Sequence, residues 1–190
     1  MSAGPRLSGT SVSVRDSEPA EIGAICDIYA HHVSHGFASF EEAPPDRAEM
    51  ERRRAEILAR GLPYLVAILP GRGPRDGDVA GYAYASPFRT RSAYRFTLEN
   101  SVYVAPNMQR RSVGRALLAA LLPRCAALGY RQMIAVIGDS ANHASIGLHE
   151  AAGFVAVGRL RAVGFKLGRW VDSVLMERAL GPGDSTLPVS

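Results

Sequence analysis

The sequence predicts an α/β (α+β) domain, with a mixed, mostly antiparallel sheet that has parallel strands at its centre and helices on its faces. Three observations lead there. Apolar runs of strand length, separated by turn residues, occur in adjacent pairs both early and late in the chain, as antiparallel neighbours do. Between those pairs a strand, a turn, an amphipathic helix and another apolar strand follow in order, the crossover that joins parallel strands. The apolar fraction, 47% of 190 residues, suffices for one buried core, and two domains would be cramped in this length.

The elements follow from period and punctuation. Residues 1–11 are small, polar and turn-prone, and residues 181–190 hold Gly, Pro, Ser and Thr without periodicity, so both are expected to be disordered tails around a domain spanning 12–180. Val12 to Arg15 alternates as a short strand. Ser17 and Glu18 ahead of Pro19 start a helix on which Ile22, Ile25, Ile28, Tyr29 and Val33 share one face. Ser34 to Pro44 reads as a loop, and Pro45 to Arg60 as an Arg- and Glu-laced helix ending at Gly61. Tyr64 to Leu69 and Val79 to Ser86 are strands paired through a hairpin loop at Gly71 to Asp78. Tyr94 to Val104 is a long strand with Glu99 and Asn100 in its middle, where burial without partners would be costly. A turn from Ala105 to Ser112, a helix from Val113 to Leu128 closed by Gly129, and the strand Met133 to Ile137 complete the crossover. A helix from Asn142 to Ala152 stops at Gly153, and Phe154 to Phe165 and Arg169 to Glu177 close the chain as strands about Gly168.

Composition excludes several classes. The net charge of +4 would suit an acidic partner, but 21 of the 22 basic residues are arginine, no run of five like charges occurs, and the densest basic stretch, Glu51 to Arg54, sits among glutamates on a helix. No nucleic-acid partner is expected. Cys26 and Cys125 are far apart and outside any paired motif, which fits a reducing compartment; no apolar stretch reaches the length of a membrane span, and the N-terminus has Ser, Gly and Pro where a signal peptide needs an apolar core. A cytoplasmic protein without membrane association is expected. His31 and His35 lie one helical turn apart with His32 between them, but no carboxylate motif accompanies them, and no metal is expected. There is no Gly-x-Ser-x-Gly elbow, and Cys125 falls within an amphipathic helix, where a thiol packs.

The most informative segment is Ser101 to Leu118. A strand ends there, and Gln109, Arg110, Arg111, Ser112, Val113, Gly114, Arg115 and Ala116 lead into a helix. Small residues in such a turn let successive backbone N–H groups converge, and the helix start adds about half a positive charge, so the segment can cradle a phosphate. Neither a Gly-Lys-Ser/Thr triplet nor a Gly-x-Gly-x-x-Gly string is present.

Gln109 to Ala116 resembles the Gln/Arg-x-x-Gly-x-Gly/Ala loop of the GNAT family of acyl-CoA N-acyltransferases. Ser101 to Val104 resembles the family's central strand, and Asn142 to Phe154 its later asparagine-to-Gly-Phe segment, in the family's order. Ala85 to Phe88, Ala93-Tyr94, Glu99, Ala135 to Gly138, Leu148 to Ala151 and Lys166-x-Gly-x-Trp170-x-Asp172 are similar to the branch acting on phosphinothricin and methionine sulfoximine. The loop departs from the pattern at Ser112, where the family has its first glycine if Gln109 opens the loop; reading from Arg111 gives Arg111-x-x-Gly114-x-Ala116, which also fits.

The resemblance implies the GNAT fold and acetyl-CoA as cosubstrate. Val102, Tyr103 and Val104 would bind the pantetheine arm as an added strand, Arg110, Arg111, Ser112, Val113, Gly114 and Arg115 would hold the pyrophosphate, and Asn142 would contact the cosubstrate. Glu99 is then the candidate base, since an ammonium nucleophile must lose a proton and a carboxylate raised in pKa by burial can take it. His149 stands where many relatives have tyrosine, so a proton relay to the leaving thiolate and a satisfied helix histidine are both open. Phe40 and the run Phe88, Arg89 and Thr90 resemble segments lining the acceptor pocket, with Asn100 and Ser101 beside them; Arg89 could pair with a substrate carboxylate. The expected reaction is direct acetylation of a small amino-acid-like amine. A protein or peptide N-acetyltransferase and a non-catalytic acyl-CoA sensor remain as alternatives. The resemblance also implies a homodimer, with the last strands as interface elements.

Overall fold

The computed structural model describes residues 12–69 and 79–188. Its centre is one seven-stranded sheet in the order β1-β2-β3-β4-β5-β7-β6. The strands are β1 (Ser13–Asp16), β2 (Tyr64–Ile68), β3 (Val79–Pro87), β4 (Thr97–Val104), β5 (Gln132–Gly138), β6 (Val155–Lys166) and β7 (Arg169–Ala179). All neighbours are antiparallel except β4 and β5, which run parallel as the crossover requires.

Four helices flank the sheet: α1 (Ile22–His35), α2 (Arg47–Ala59), α3 (Val113–Ala127) and α4 (His143–Ala151). Helices α1 and α2 cover one face over β2 to β4, and α3 covers the other, with α4 beside it against β5. Helix α1 buries Ile22, Ile25, Ile28, Tyr29 and Val33, the face its sequence marks out. Asp46 caps α2 by accepting from Glu49 N at 2.8 Å. The outer face of α2 carries arginine–glutamate pairs, among them Arg47–Glu51 at 2.8 Å. Strand β2, covered on both sides, is buried at every position. Leu117, Leu118 and Leu121 fill the space under α3 and are fully buried.

Two boundaries differ from expectation, and the turn at Gly168 agrees with it. The strand expected from Tyr94 starts at Thr97, because Ser92–Tyr94 forms a 3-10 turn in which Tyr94 N donates to Arg91 O at 2.9 Å. The Tyr94 ring stands edge-on to Phe88, 5.8 Å between centroids, and this contact folds the chain back before the ladder begins. The stretch 181–188, expected within a tail, forms turns and receives Arg131, which donates to Gly183 O at 3.1 Å and Leu187 O at 3.2 Å. Leu167 and Gly168, both at positive φ (48° and 77°), turn β6 into β7. The expected hairpin loop at Gly71 to Asp78 and the 1–11 tail lie outside the described residues.

Replacing Leu117, buried at the α3–sheet contact, with alanine should lower the unfolding free energy by about 2–5 kcal/mol. Urea denaturation measures this; an unchanged midpoint would place Leu117 outside the core.

Candidate active site

Strand β4 has two neighbours of unequal reach. It pairs with β3 from Leu98↔Pro87 to Val104↔Gly81, but with β5 only from Thr97↔Gln132 to Asn100↔Ala135. Beyond that point β5 continues against β7 to Gly138↔Ser173, and the two parallel strands separate.

The ladder's phase decides which backbone groups the separation exposes. Phe88 N donates to Thr97 O at 3.2 Å and Ala105 N to Ala80 O at 2.9 Å. Alternation therefore turns the polar groups of Glu99, Ser101 and Tyr103 toward β3 and those of Asn100, Val102 and Val104 toward β5. Val104 O accepts from His32 Nε2–H at 2.9 Å. The N–H and C=O of Val102 and the N–H of Val104 face the gap. A strand-like ligand can bond there as a seventh strand bonds to a sixth.

The gap opens into a cleft of about 270 Å³, the site of the polar pair expected to be costly. Of the residues singled out in the sequence, Glu99, Asn100, Ser101, Val102, Tyr103, Asn142, His149 and Phe40 line it. Glu99 is half-buried, and burial, the sole cause of its shift, raises its pKa above the ordinary glutamate value. The neighbouring Arg95 does not neutralise it: that guanidinium lies 4.6 Å from the Phe96 ring centroid.

Asn100 points to the other face of the sheet. Its amide nitrogen donates to Ile134 O at 3.1 Å, which leaves its oxygen 3.0 Å from His149 Nε2. The other ring nitrogen of His149 lies 2.8 Å from Ser145 O. Both of these oxygens only accept, so both bonds are complete only when the ring is protonated on both nitrogens. Burial acts against that charge and lowers the His149 pKa. A neutral ring thus keeps one bond and gives up the other.

Val113 and Gly114 are buried at the start of α3, with Leu148 of α4 packed over Gly114, while Arg110, Arg111 and Arg115 are exposed. Arg110 and Ser112 have φ of 58° and 62°, the left-handed region. Ser112 is the N-cap of α3 but makes no side-chain cap bond, so the first N–H groups of the helix stay available. Asn142, by contrast, caps α4 by accepting from Ser145 N at 3.1 Å.

Phe88, Arg89 and Thr90 are not brought to the cleft. They follow the end of β3, where the Arg89 guanidinium stacks 5.1 Å from the Phe88 centroid and 5.5 Å from that of Tyr94. Conversely, Ala38, Ala135 to Gly138, Ser145 and Ser173 line the cleft without having been singled out as site residues. A glycine closing an apolar strand, Gly138, was the readable signal among them. His31 and His35 stack on each other at 4.7 Å, and among the described residues no group of three His, Cys, Asp or Glu side chains could hold a metal.

Residues 23–154 match the model of the acetyltransferase (GNAT) family. The chain belongs to the GNAT family. It is 55% identical over 185 residues, 97% of the chain and 91% of the relative, to a phosphinothricin N-acetyltransferase of Alcaligenes faecalis. It is 37% identical over 172 residues, 90% of the chain and 96% of the relative, to an L-methionine sulfoximine/L-methionine sulfone acetyltransferase of Pseudomonas paraeruginosa. Among solved structures, a GNAT phosphinothricin acetyltransferase from Sinorhizobium meliloti in complex with acetyl-CoA is similar with a TM-score of 0.89 and 47% identity, covering 94% of each chain. The GNAT fold accounts for the mixed sheet and for the parallel β4–β5 pair at its centre.

Within this GNAT chain, Ser112 at φ of 62° occupies a conformation that glycine adopts without steric cost. Ser112→Gly should raise stability by about 1 kcal/mol, read as a higher thermal midpoint. An unchanged or lower midpoint would mean that the serine side chain compensates its own strain.

Proposed function

We propose that this protein transfers the acetyl group of acetyl-CoA directly to the amine of a small amino-acid-like acceptor, of the phosphinothricin or methionine sulfoximine type. The observation that carries the proposal is a half-buried Glu99, without an ion-pair partner among the described residues, on the same strand as the open backbone edge at Val102 and Val104. The relatives' activities support the acceptor class.

The residues present fit the cosubstrate. The Val102 carbonyl and the Val104 N–H would hold the pantetheine arm, and the uncapped start of α3, with exposed Arg110, Arg111 and Arg115, would hold the pyrophosphate. The left-handed geometry at Ser112 favours the register in which Gln109 opens the loop. Acetyl-CoA supplies the acyl group as a thioester. Glu99 accepts the proton that the ammonium must lose, directly or through a water, and the amine nitrogen then bonds to the acyl carbon. The N–H of Val102 is available to the oxyanion that forms. As the carbon–sulfur bond breaks, the thiolate needs a proton. His149, whose neutral ring keeps one N–H bond to either Asn100 or Ser145, can relay one only by giving up that bond. A cleft of about 270 Å³ with Phe40 in its wall suits a small acceptor.

The domain is proposed to be one unit over 12–180, acting in the cytoplasm where acetyl-CoA is made; its two thiols are free, and among the described residues no helix is long and apolar enough to cross a membrane. We further propose a homodimer through β6 and β7. Strand β6 is a sheet edge exposed along nearly its whole length, and Leu160, Phe165 and Trp170, the last 65% exposed, present apolar surface that a second copy would cover.

Thiol release from acetyl-CoA in the presence of phosphinothricin or methionine sulfoximine tests the reaction. Glu99→Gln should lower kcat by about 10²–10⁴-fold with acetyl-CoA affinity unchanged; unchanged turnover would remove Glu99 from its role. Because burial raises the Glu99 pKa, the carboxylate is protonated at the acid end and ionises as pH rises. The wild-type kcat/KM should therefore rise with pH through a pKa above the ordinary glutamate value, and E99Q should lose that limb. Leu160→Glu combined with Trp170→Glu should sediment as a monomer; a wild type that is itself monomeric would overturn the dimer.

A further inference from the structure

We propose that Gly164 and Lys166 of β6 set acceptor specificity by fixing the segment 36–41 as the roof of the cleft, with the Phe40 ring as the wall that measures the acceptor's side chain. This rests on the acetyl-transfer reading above.

The segment is held at four places. Ser39, 9% exposed, is gripped at both its polar ends: its carbonyl accepts from Lys166 Nζ at 2.6 Å, and its hydroxyl is hydrogen-bonded to Tyr29 OH at 2.9 Å. The Phe37 ring has the Arg169 guanidinium 3.8 Å from its centroid, and Arg169 is itself paired to Asp139. The Phe40 ring lies over Gly138 of β5 and Gly164 of β6, where a Cβ on Gly138 would come 3.0 Å from Phe40 Cε1 and one on Gly164 2.7 Å from Phe40 Cδ2. At Gly164 a side chain is excluded by the Phe40 ring itself, whereas at Gly138 the nearer obstacle is the Phe37 carbonyl oxygen, so that glycine admits the backbone of the segment and Gly164 admits its ring. Phe40 and Ala38 face the same cleft as Glu99.

Lys166 is the one lysine among 22 basic residues, in a chain that otherwise uses arginine everywhere. It is 2% exposed and reaches a single backbone carbonyl. A planar guanidinium with five donors has no bidentate partner at such a point, whereas an ammonium does the same work in less volume. Burial lowers its pKa, partly offset by Glu41 and Glu42, which favour its charge. A segment fixed this way cannot adapt to a longer acceptor, so the ring's position translates into discrimination by length.

The test uses the full chain in the thiol-release assay, with a series of α-amino acids of increasing side-chain length alongside phosphinothricin and methionine sulfoximine. Gly164→Ala should change the kcat/KM ratio between the shortest and longest acceptors by about tenfold, with the KM for acetyl-CoA held within about twofold. Adding Phe40→Ala should abolish that change, because the clash is with the ring. Lys166→Met, an independent variant, should narrow the spread among acceptors while leaving the KM for acetyl-CoA alone. Folded variants that slow all acceptors by one common factor would overturn the inference. So would a Gly164→Ala effect that persists without the Phe40 ring. A wild type that releases thiol with none of the acceptors would overturn the acetyl-transfer reading, and this inference with it.

Discussion

The separation of β4 from β5 after Asn100↔Ala135 is the constraint on which the site depends. Backbone N–H and C=O groups left without partners cost about 1–3 kcal/mol each when they are buried, so a sheet opened at its centre must show those groups either to water or to a ligand. Here they face a cleft. The opening also decides what lies around it: α3 follows the end of β4 and α4 the end of β5, so two helix N-termini gather where the strands part. The two are not equivalent. Helix α4 spends Asn142 on its own first turn, whereas α3 has neither a cap bond nor an acidic residue in its first turn. Only α3 keeps N–H groups and positive potential to offer an anion.

The same strand separates the two titratable groups. Side chains alternate across a strand, so Glu99 and Asn100 point to opposite faces. Glu99 shares its face with Ser101, Tyr84 and the roof segment, while Asn100 meets His149 on the face of α4. A proton taken by Glu99 and a proton given through His149 would therefore move on different sides of β4. That division suits a reaction in which the attacking amine and the leaving thiol approach the acyl carbon from different directions. Burial shifts each group toward its neutral form, raising Glu99 and lowering His149. One cause, burial, thus makes Glu99 more basic than an ordinary glutamate and His149 less readily charged than an ordinary histidine.

Much of the fold was legible because its elements carry clean periods. The five buried residues of α1 and the buried run of β2 are examples, and Gly153 and Gly168 mark turns at positive φ. Glu99 and Asn100 were legible as a pair out of place in an apolar strand. What the sequence hid is tertiary. Nothing local in Ser101 to Val104 says that pairing continues on the β3 side and stops on the β5 side, since register belongs to two strands at once. Tyr94 to Phe96 looked like strand because aromatics favour strands, and the Phe88–Tyr94 contact overrode that preference. Arg89 stacks on the same two rings and does not line the cleft. Lys166 carried a signal of another kind, its rarity, which acquires meaning only when its burial against Ser39 is seen.

Backbone strain is distributed in keeping with this picture. Of the non-glycine residues at positive φ, Arg110 and Ser112 lie after β4 and Asp139 lies after β5, in the two connections that leave the separated strands. Asp139 is compensated within the chain: its carboxylate accepts from Ala141 N at 3.0 Å and pairs with Arg169, and these partners hold its pKa below the usual carboxylate range. Arg110 and Ser112 are exposed, and the hydroxyl of Ser112 makes no cap bond. Left-handed residues cost about 1–2 kcal/mol each, and such costs persist where the geometry serves a purpose. Successive N–H groups around a left-handed residue point inward to one centre. Asp139 has its compensation within the chain, whereas Ser112 makes no cap bond, so the loop after β4 leaves open the N–H groups that the proposed pyrophosphate role would use.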